Sequence, residues 1–469
     1  MSAGDGVGFA IDPAKVREWK RYPEYTDSGV AWLGEVPAGW ETSSIKRHFS
    51  VQLGKMLQNQ PNGPGDTLRP YLRAANISWG KVLVDDIKEM WFSESEKAQY
   101  RIEKGDLLVS EGGDVGRAAL WNDELDECYI QNAINRVRDR NGALTSHLYY
   151  WIYFLKHVGY IDILCNKATI AHYTAEKVMN TVYLRPPLPE QHAIAAFLDR
   201  ETARIDALIA KKQRFIELLE EKRQALITQA VTKGLDPDVE MKDSGVEWLG
   251  EVPVGWEVVK NGILIDSIEQ GWSPLAENRI AEEDEWAVIK LNAVSKGRFY
   301  PLEHKVLSTD YDGKDNWKIN TGDFLITRSN TPDLVGDVCL VDSIGNRKLI
   351  ISDLVYKLNY CLRSVNPLFM KYWMLSKAGR YQIVRDARGS SRSMVKISQE
   401  IVKSWYVLLP PLPEQHAIAT FLDRETAQID TLINAITRQI EKLHEYRTAL
   451  ISAAVTGKID VRGEVPADP

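Results

Sequence analysis

Residues 186–206 read PPLPEQHAIAAFLDRETARID, and residues 410–430 read PPLPEQHAIATFLDRETAQID. Only two of these 21 positions differ, at an offset of 224. A second pair lies upstream: residues 27–41 read DSGVAWLGEVPAGWE and residues 243–257 read DSGVEWLGEVPVGWE, at an offset of 216. The chain is therefore a tandem duplication. Each half holds a WLGEVP segment, a variable region the size of one domain, and a long helical segment.

This predicts an N-terminal arm and first linker (1–41), a first variable domain (42–185), a first long helix (186–234), a second linker (235–257), a second variable domain (258–409), a second long helix (410–458) and a C-terminal tail (459–469). The variable regions share sparse anchors. Asn76 matches Asn292 at offset 216, Gly105-Asp106 matches Gly322-Asp323 at 217, and Val115-Gly116 matches Val335-Gly336 at 220. An offset that only grows is what small loop insertions in one shared fold produce. Near-identical connectors imply two equivalent docking tasks, and same-fold domains with different sequences imply two different targets.

Pro189 and Pro413 suit a helix start, where a missing N–H costs nothing, and Glu190 and Glu414 suit the positive end of the helix dipole. The helices then run without Gly or Pro to about Thr232 and Thr456, with Gly234 and Gly457 as stops. Apolar residues at Ile194, Leu198, Ile205, Leu208, Phe215, Leu219 and Leu226, and at Ile418, Leu422, Ile429, Leu432, Ile436, Leu443 and Leu450, fall at heptad steps. They predict that the two helices pair as an antiparallel coiled coil with pseudo-twofold symmetry between the halves. A further apolar face (Ile209, Ile216, Leu218, Ile227; Ile433, Ile440, Ile451) predicts additional helices packed there. We assign that face, with Glu190, Gln191, Glu414 and Gln415 at the helix starts, to partner subunits.

Strands are expected from Arg69 to Ile77, Asp106 to Ser110 and Trp286 to Leu291, and helices from Leu148 to Leu155 and Phe369 to Leu375. The fold class is α+β: two similar domains separated by two long helices. Trp32, Trp40, Trp248 and Trp256 read as core residues pinning each linker to a domain.

Hydrophobic content of 44% and charged content of 26% are ordinary for a globular protein. No apolar run reaches a membrane span, and the N-terminus lacks an apolar signal core, so a cytoplasmic location is expected. Cys128, Cys165, Cys339 and Cys361 are scattered and suggest neither a disulfide framework nor a zinc site. The net charge of −7 alone disfavours phosphate binding. Its distribution does not: residues 41–185 carry 18 basic and 18 acidic side chains, and residues 257–409 carry 21 and 19. The acidity resides in the connectors.

The duplicated P-P-L-P-E-Q helix start and the duplicated D-S-G-V-x-W-L-G-E-V-P-x-G-W-E, correctly interleaved from about Tyr22 to Asp460, resemble the specificity subunits of type I restriction-modification enzymes. The resemblance implies that each variable block is a target-recognition domain reading half of a bipartite, asymmetric site on double-stranded DNA. It implies that the helices set the unread spacer, that two methyltransferase subunits dock on the repeated regions, and that motor-nuclease subunits join them. This chain would be non-catalytic and bind no cofactor; S-adenosylmethionine, ATP and Mg2+ would serve the partners. Two readers on one face of B-DNA stand roughly 34–36 Å apart, within the reach of helices roughly 65 Å long.

Candidate DNA contacts in the first domain are Arg69, Arg73, Asn76, Trp79 and Lys81 in one strand-and-turn stretch. Ser110 and Arg117 belong to a Gly-rich loop, SEGGDVGR, that permits close approach to phosphate. Lys167 and His172 lie in the segment before the last strand. In the second domain the candidates are Lys290, Asn292, Lys296, Arg298, Arg328, Ser329 and Asn330, with Arg388, Ser390, Ser391, Arg392 and Lys396 in the stretch RGSSRSMVK. Arg and Lys suit guanine and Asn suits adenine.

No G-x-x-x-x-G-K-[ST] phosphate loop occurs, no Asn/Asp-Pro-Pro-aromatic motif, and no cluster with metal-ligand spacing. His192 and His416 read as packing or capping residues. A fused nuclease or methyltransferase is disfavoured. A coiled-coil scaffold binding proteins alone, and the specificity subunit of a methyltransferase-only or non-type-I system, are the rival readings.

Overall fold

The computed structural model describes residues 19–165, 171–308, 311, 316–391 and 394–464. They form two compact units. The first comprises the described residues up to Lys212 together with those from Thr437 onward, and the second is Gln213–Ile436. Each unit thus combines one variable domain with a stretch of both long helices.

In the first unit a four-stranded antiparallel sheet runs in the order Ala118–Leu120, Leu107–Ser110, Ile134–Asp139, Phe49–Leu53. A smaller sheet pairs Thr67–Leu72 parallel to Tyr129–Ile130 and antiparallel to Lys88–Phe92. Strand Glu41–Ser44 pairs with Val182–Arg185, joining the start of the domain to its end. The second unit repeats the plan. Its four-stranded sheet runs Val338–Leu340, Phe324–Thr327, Val355–Tyr360, Ile265–Gln270. Trp286–Ile289 pairs parallel to Lys348–Ile350, and Glu257–Lys260 pairs with Tyr406–Leu409. The α+β plan is therefore built twice, and the second unit extends its smaller sheet to four strands.

Each domain centres on a mostly apolar helix that is largely buried. Helix Thr145–His157 buries every side chain from His147 to Leu155. Its counterpart, Pro367–Leu375, buries Phe369, Met370, Tyr372, Trp373 and Met374.

The long helices are Leu188–Lys233, 46 residues, and Leu412–Val455, 44 residues. They start one residue earlier than expected, with proline second. Their first turns are bound to the domain that precedes them. In the first unit, Gln191 is fully buried. Its Oε1 accepts from the Leu144 backbone N–H at 2.9 Å, and its Nε2 donates to the Pro186 carbonyl at 2.8 Å. In the second, Gln415 accepts from the Asn366 N–H at 2.9 Å and donates to the Pro410 and Ser364 carbonyls at 2.9 and 3.0 Å. The preceding glutamate receives the linker tryptophan: Trp40 Nε1 donates to Glu190 at 3.0 Å, and Trp256 Nε1 to Glu414 at 2.9 Å. Glu190, Gln191, Glu414 and Gln415, assigned above to partners, thus spend these polar atoms inside their own units. The Glu-Gln pair repeats because the same clamp is built twice.

Of the four linker tryptophans, Trp40 and Trp256 are core residues, as expected. Trp32 is not: it is 41% exposed and leans on Phe154 and Tyr160. Trp248 is half-buried against Tyr381. The second helix ends at Gly457, whose φ is +71°. A Cβ there would sit 2.2 Å from Pro37, so both conformation and space demand glycine.

Within each unit the helices run antiparallel. In the first, Lys212 Nζ donates to Gln439 at 2.6 Å and Arg447 Nε to Asp206 at 3.0 Å. In the second, Arg223 pairs with Asp430, which also takes Arg298 from the variable domain. Arg223 with Asp430 and Arg447 with Asp206 are the same pair, each residue displaced by 224.

The seam differs from the one expected. Ile205, Ile216 and Leu219 are buried, Ile209 half-buried, while Leu208, Phe215 and Leu218 are 42%, 47% and 46% exposed. On the second helix Ile429 and Ile436 are buried, Ile433 and Ile440 half-buried, and Leu432 is 41% exposed. Ile227 and Ile451 are buried in the cores of their own units. The face assigned to partners is therefore largely the face that packs inside the chain. The inward frame runs Ile205, Ile209, Lys212, Ile216, Leu219, Arg223, and its polar members hide it from a search for apolar residues.

Gln415→Leu keeps the volume but leaves one N–H and two carbonyls unpaired. At about 1–3 kcal/mol for each buried unsatisfied group, we expect a loss of about 3 kcal/mol or more in urea unfolding; an unchanged midpoint would show that the clamp is not stabilising. His147 is fully buried, 3.0 Å from the Tyr183 hydroxyl, and burial pushes its pKa down to about 3. A depressed imidazole favours the folded state only above the unfolded pKa of about 6.5, and its contribution is lost as pH falls from there towards 3. At pH 5 the loss is about 2 kcal/mol, so His147→Gln should lose correspondingly less stability than the native chain between pH 7.5 and pH 5.

Candidate nucleic-acid interface

The candidate contacts divide into those that the fold uses internally and those that it gathers at one place. Asn76 belongs to the first group. It is 3% exposed; its amide donates to the Leu83 and Asp86 carbonyls at 2.8 and 3.2 Å and accepts from the Arg73 N–H at 3.0 Å. All of its polar atoms hold a turn. Arg73 is paired with Asp86, and Arg69 with Glu127 at 3.3 Å. Trp79 packs edge-on to Tyr153 at 5.0 Å. Asn292 donates to Glu303 at 2.8 Å, and Lys290 lies 3.8 Å from the same carboxylate. Lys81 is exposed on strand Lys81–Val82.

Arg298, Lys296 and Arg223 line a cleft of about 650 Å³ in the second unit, with Lys371, Asp423 and Asp430. Burial holds the Lys371 ammonium below its ordinary pKa, and Asp423 opposes the shift. The backbone N–H of Lys296 donates to Asp337 at 2.6 Å, and burial raises that carboxyl. These groups join the variable domain to the helices.

The second group converges. In the second domain, strand Ser329–Asn330 pairs with Met394–Lys396, which pairs in turn with Arg388–Ser391. Arg328 to Asn330, Arg388, Ser390, Ser391 and Lys396 therefore meet in one three-stranded sheet, although some 60 residues separate its first strand from the others. Arg392 lies outside the described residues. Ser329 is buried, and Lys396 is exposed beside it in register. The Arg328 guanidinium lies over the Tyr356 ring, 5.9 Å from its centre, and Nη1 donates to the Asp353 carbonyl at 3.3 Å. Burial raises the Tyr356 phenol, and Arg328 opposes that shift.

The first domain makes the same junction from the Gly-rich loop and the segment before the last strand. The Tyr173 N–H donates to the Glu111 carbonyl at 2.8 Å, as the Ile397 N–H donates to that of Arg328 at 2.9 Å. The Glu111 N–H donates to Ala133 at 2.8 Å, and the Arg328 N–H to Leu354 at 2.7 Å. The Ser110 N–H donates to Arg117, and the Thr327 N–H to Asp337, at 2.8 and 2.9 Å. Ser110 is buried, and Arg117 donates to the Ala74 carbonyl at 3.0 Å. His172 is exposed at the position of Lys396, and Lys167 lies outside the described residues. Glu111, within SEGGDVGR, occupies the position of Arg328. Its offset of 217 from Arg328, equal to that of the Gly105-Asp106 anchor, was the available signal.

Among the described residues no group of three His, Cys, Asp or Glu side chains is placed to hold a metal ion, and no helix is long and apolar enough to cross a membrane.

Comparison with known proteins agrees with this geometry. The family model described as the type I restriction modification DNA specificity domain matches twice, over residues 37–218 and 253–442. The type I restriction enzyme StySPI specificity subunit of Salmonella potsdam is 22% identical over 438 residues, covering 91% of this chain and 90% of that protein. The type I restriction enzyme EcoEI specificity subunit of Escherichia coli is 27% identical over 174 residues, 37% of this chain and 29% of that protein. A solved chain from work on complex assembly and conformational transition of the type I R-M system shares the fold, with a TM-score of 0.65 at 18% identity, covering 90% of this chain and 99% of that one. The two family matches take in most of the sequence, one in each half, and the chain belongs to the type I restriction-modification DNA specificity family.

Proposed function

We propose that this chain is the sequence-specific DNA-recognition subunit of a type I restriction-modification complex, reading a bipartite, asymmetric site in double-stranded DNA. The observation that carries the reading is the convergence just described: two domains with one backbone frame bring together polar segments whose side chains differ. Each domain then supplies one half-site. Backbone frame and cations position the phosphates, while side chains that differ between the domains read the bases.

The chain acts by binding and does no chemistry of its own. Two methyltransferase subunits dock on the repeated regions, and motor-nuclease subunits join through them. S-adenosylmethionine, ATP and Mg2+ serve those partners, in the cytoplasm where the DNA lies. For docking, the outward residues Leu208 and Leu432 are better candidates than the inward isoleucines. They are exposed and occupy equivalent positions, one in each unit.

The test is purification of the tagged chain from its own cells. We expect two methyltransferase chains per specificity chain, retention of the complex on duplex DNA at low salt, and steep release as salt rises. Leu208→Asp or Leu432→Asp should each lower the recovery to one methyltransferase chain. Partner capture with no DNA retention at any salt would instead favour a protein scaffold.

A further inference from the structure

The matched backbone hydrogen bonds place Glu111 and Arg328 at one position of the shared fold. Their chemistry is opposite. Each is half-buried at the edge of the converging segments, beside an exposed His172 or Lys396. Arg328 offers five N–H donors and no acceptor; Glu111 offers acceptors only.

We propose that Glu111 and Arg328 are matched base-reading residues, one for each half-site, Arg328 donating to guanine and Glu111 accepting from the amino group of cytosine. This rests on the reading of the two domains as DNA readers. Two readers of one fold must differ where they touch bases, and a reversal of donor and acceptor at one position is the most direct difference available. The fork of an arginine matches O6 and N7 of guanine, and a carboxylate matches cytosine N4. A carboxylate facing phosphates is otherwise disfavoured, so its place in this junction calls for a donor on the DNA.

The surroundings support the assignment. Tyr356 and the Asp353 carbonyl orient the Arg328 guanidinium. A planar guanidinium held in one orientation is suited to bidentate contact. Phosphate binding would require only charge.

The test compares recognition motifs by methylome sequencing in cells carrying the native system, R328K or E111Q. R328K keeps the charge and loses the fork. It should make one guanine position of one half-site ambiguous, reducing discrimination there roughly ten- to a hundredfold, with the other half-site and the spacer unchanged. E111Q should move one position of the other half-site from cytosine towards adenine, which glutamine pairs through N6 and N7. If either variant methylates too little to define a motif, competition binding of the purified complex to duplexes altered at each position gives the same readout. Unchanged base preference in both half-sites, with methylation lowered uniformly, would overturn the assignment and mark Arg328 as a phosphate contact. A native methylome without a two-part motif would instead overturn the DNA-reading function itself.

Discussion

A single buried glutamine at the start of each long helix holds the architecture of each unit together. The first turn of a helix leaves backbone donors unpaired, and a domain that packs against it buries further polar groups. Gln191 and Gln415 each join the two sides: one amide accepts from the backbone N–H at the start of the domain's central helix and donates to the carbonyl that precedes the long helix. The adjacent glutamate takes the linker tryptophan. Three segments distant in sequence are thus tied at one point, and the direction in which the long helix leaves the domain follows. This explains why PPLPEQ recurs unchanged while the domain surface does not.

The seam between the helices is set by polar residues as much as by apolar ones. Arg223 and Arg447 occupy positions that a leucine could fill, and each finds the aspartate of the other helix. In the second unit both partners are largely buried, so a slip in register that parts Arg223 from Asp430 is penalised by more than lost packing. Asp430 also receives Arg298 from the variable domain, which links the helix register to the reading domain in that unit.

The duplication, the helix starts to within a residue and the mixed α+β character were legible because they rest on local pattern: a repeat, a proline, a 3.6-residue period. Which of two adjacent apolar residues faces inward was not. Leu208 and Ile209, or Phe215 and Ile216, satisfy the same spacing, and the choice is made by Lys212 and Arg223 through partners on a helix some 200 residues away. Residue type also misleads at Asn76, which suits adenine but is consumed by a turn. Conversely, the RGSSRSMVK stretch is marked by its composition, yet its pairing in space with Ser329–Asn330 follows only from the strand register.

The central claim is that one fold, used twice, reads two unlike DNA sequences. The most direct measurement is methylome sequencing of cells with the gene intact and deleted. The account predicts an interrupted motif with two different half-sites and a fixed spacer, present with the gene and absent without it. A continuous or perfectly palindromic motif, or methylation unaffected by the deletion, would contradict it.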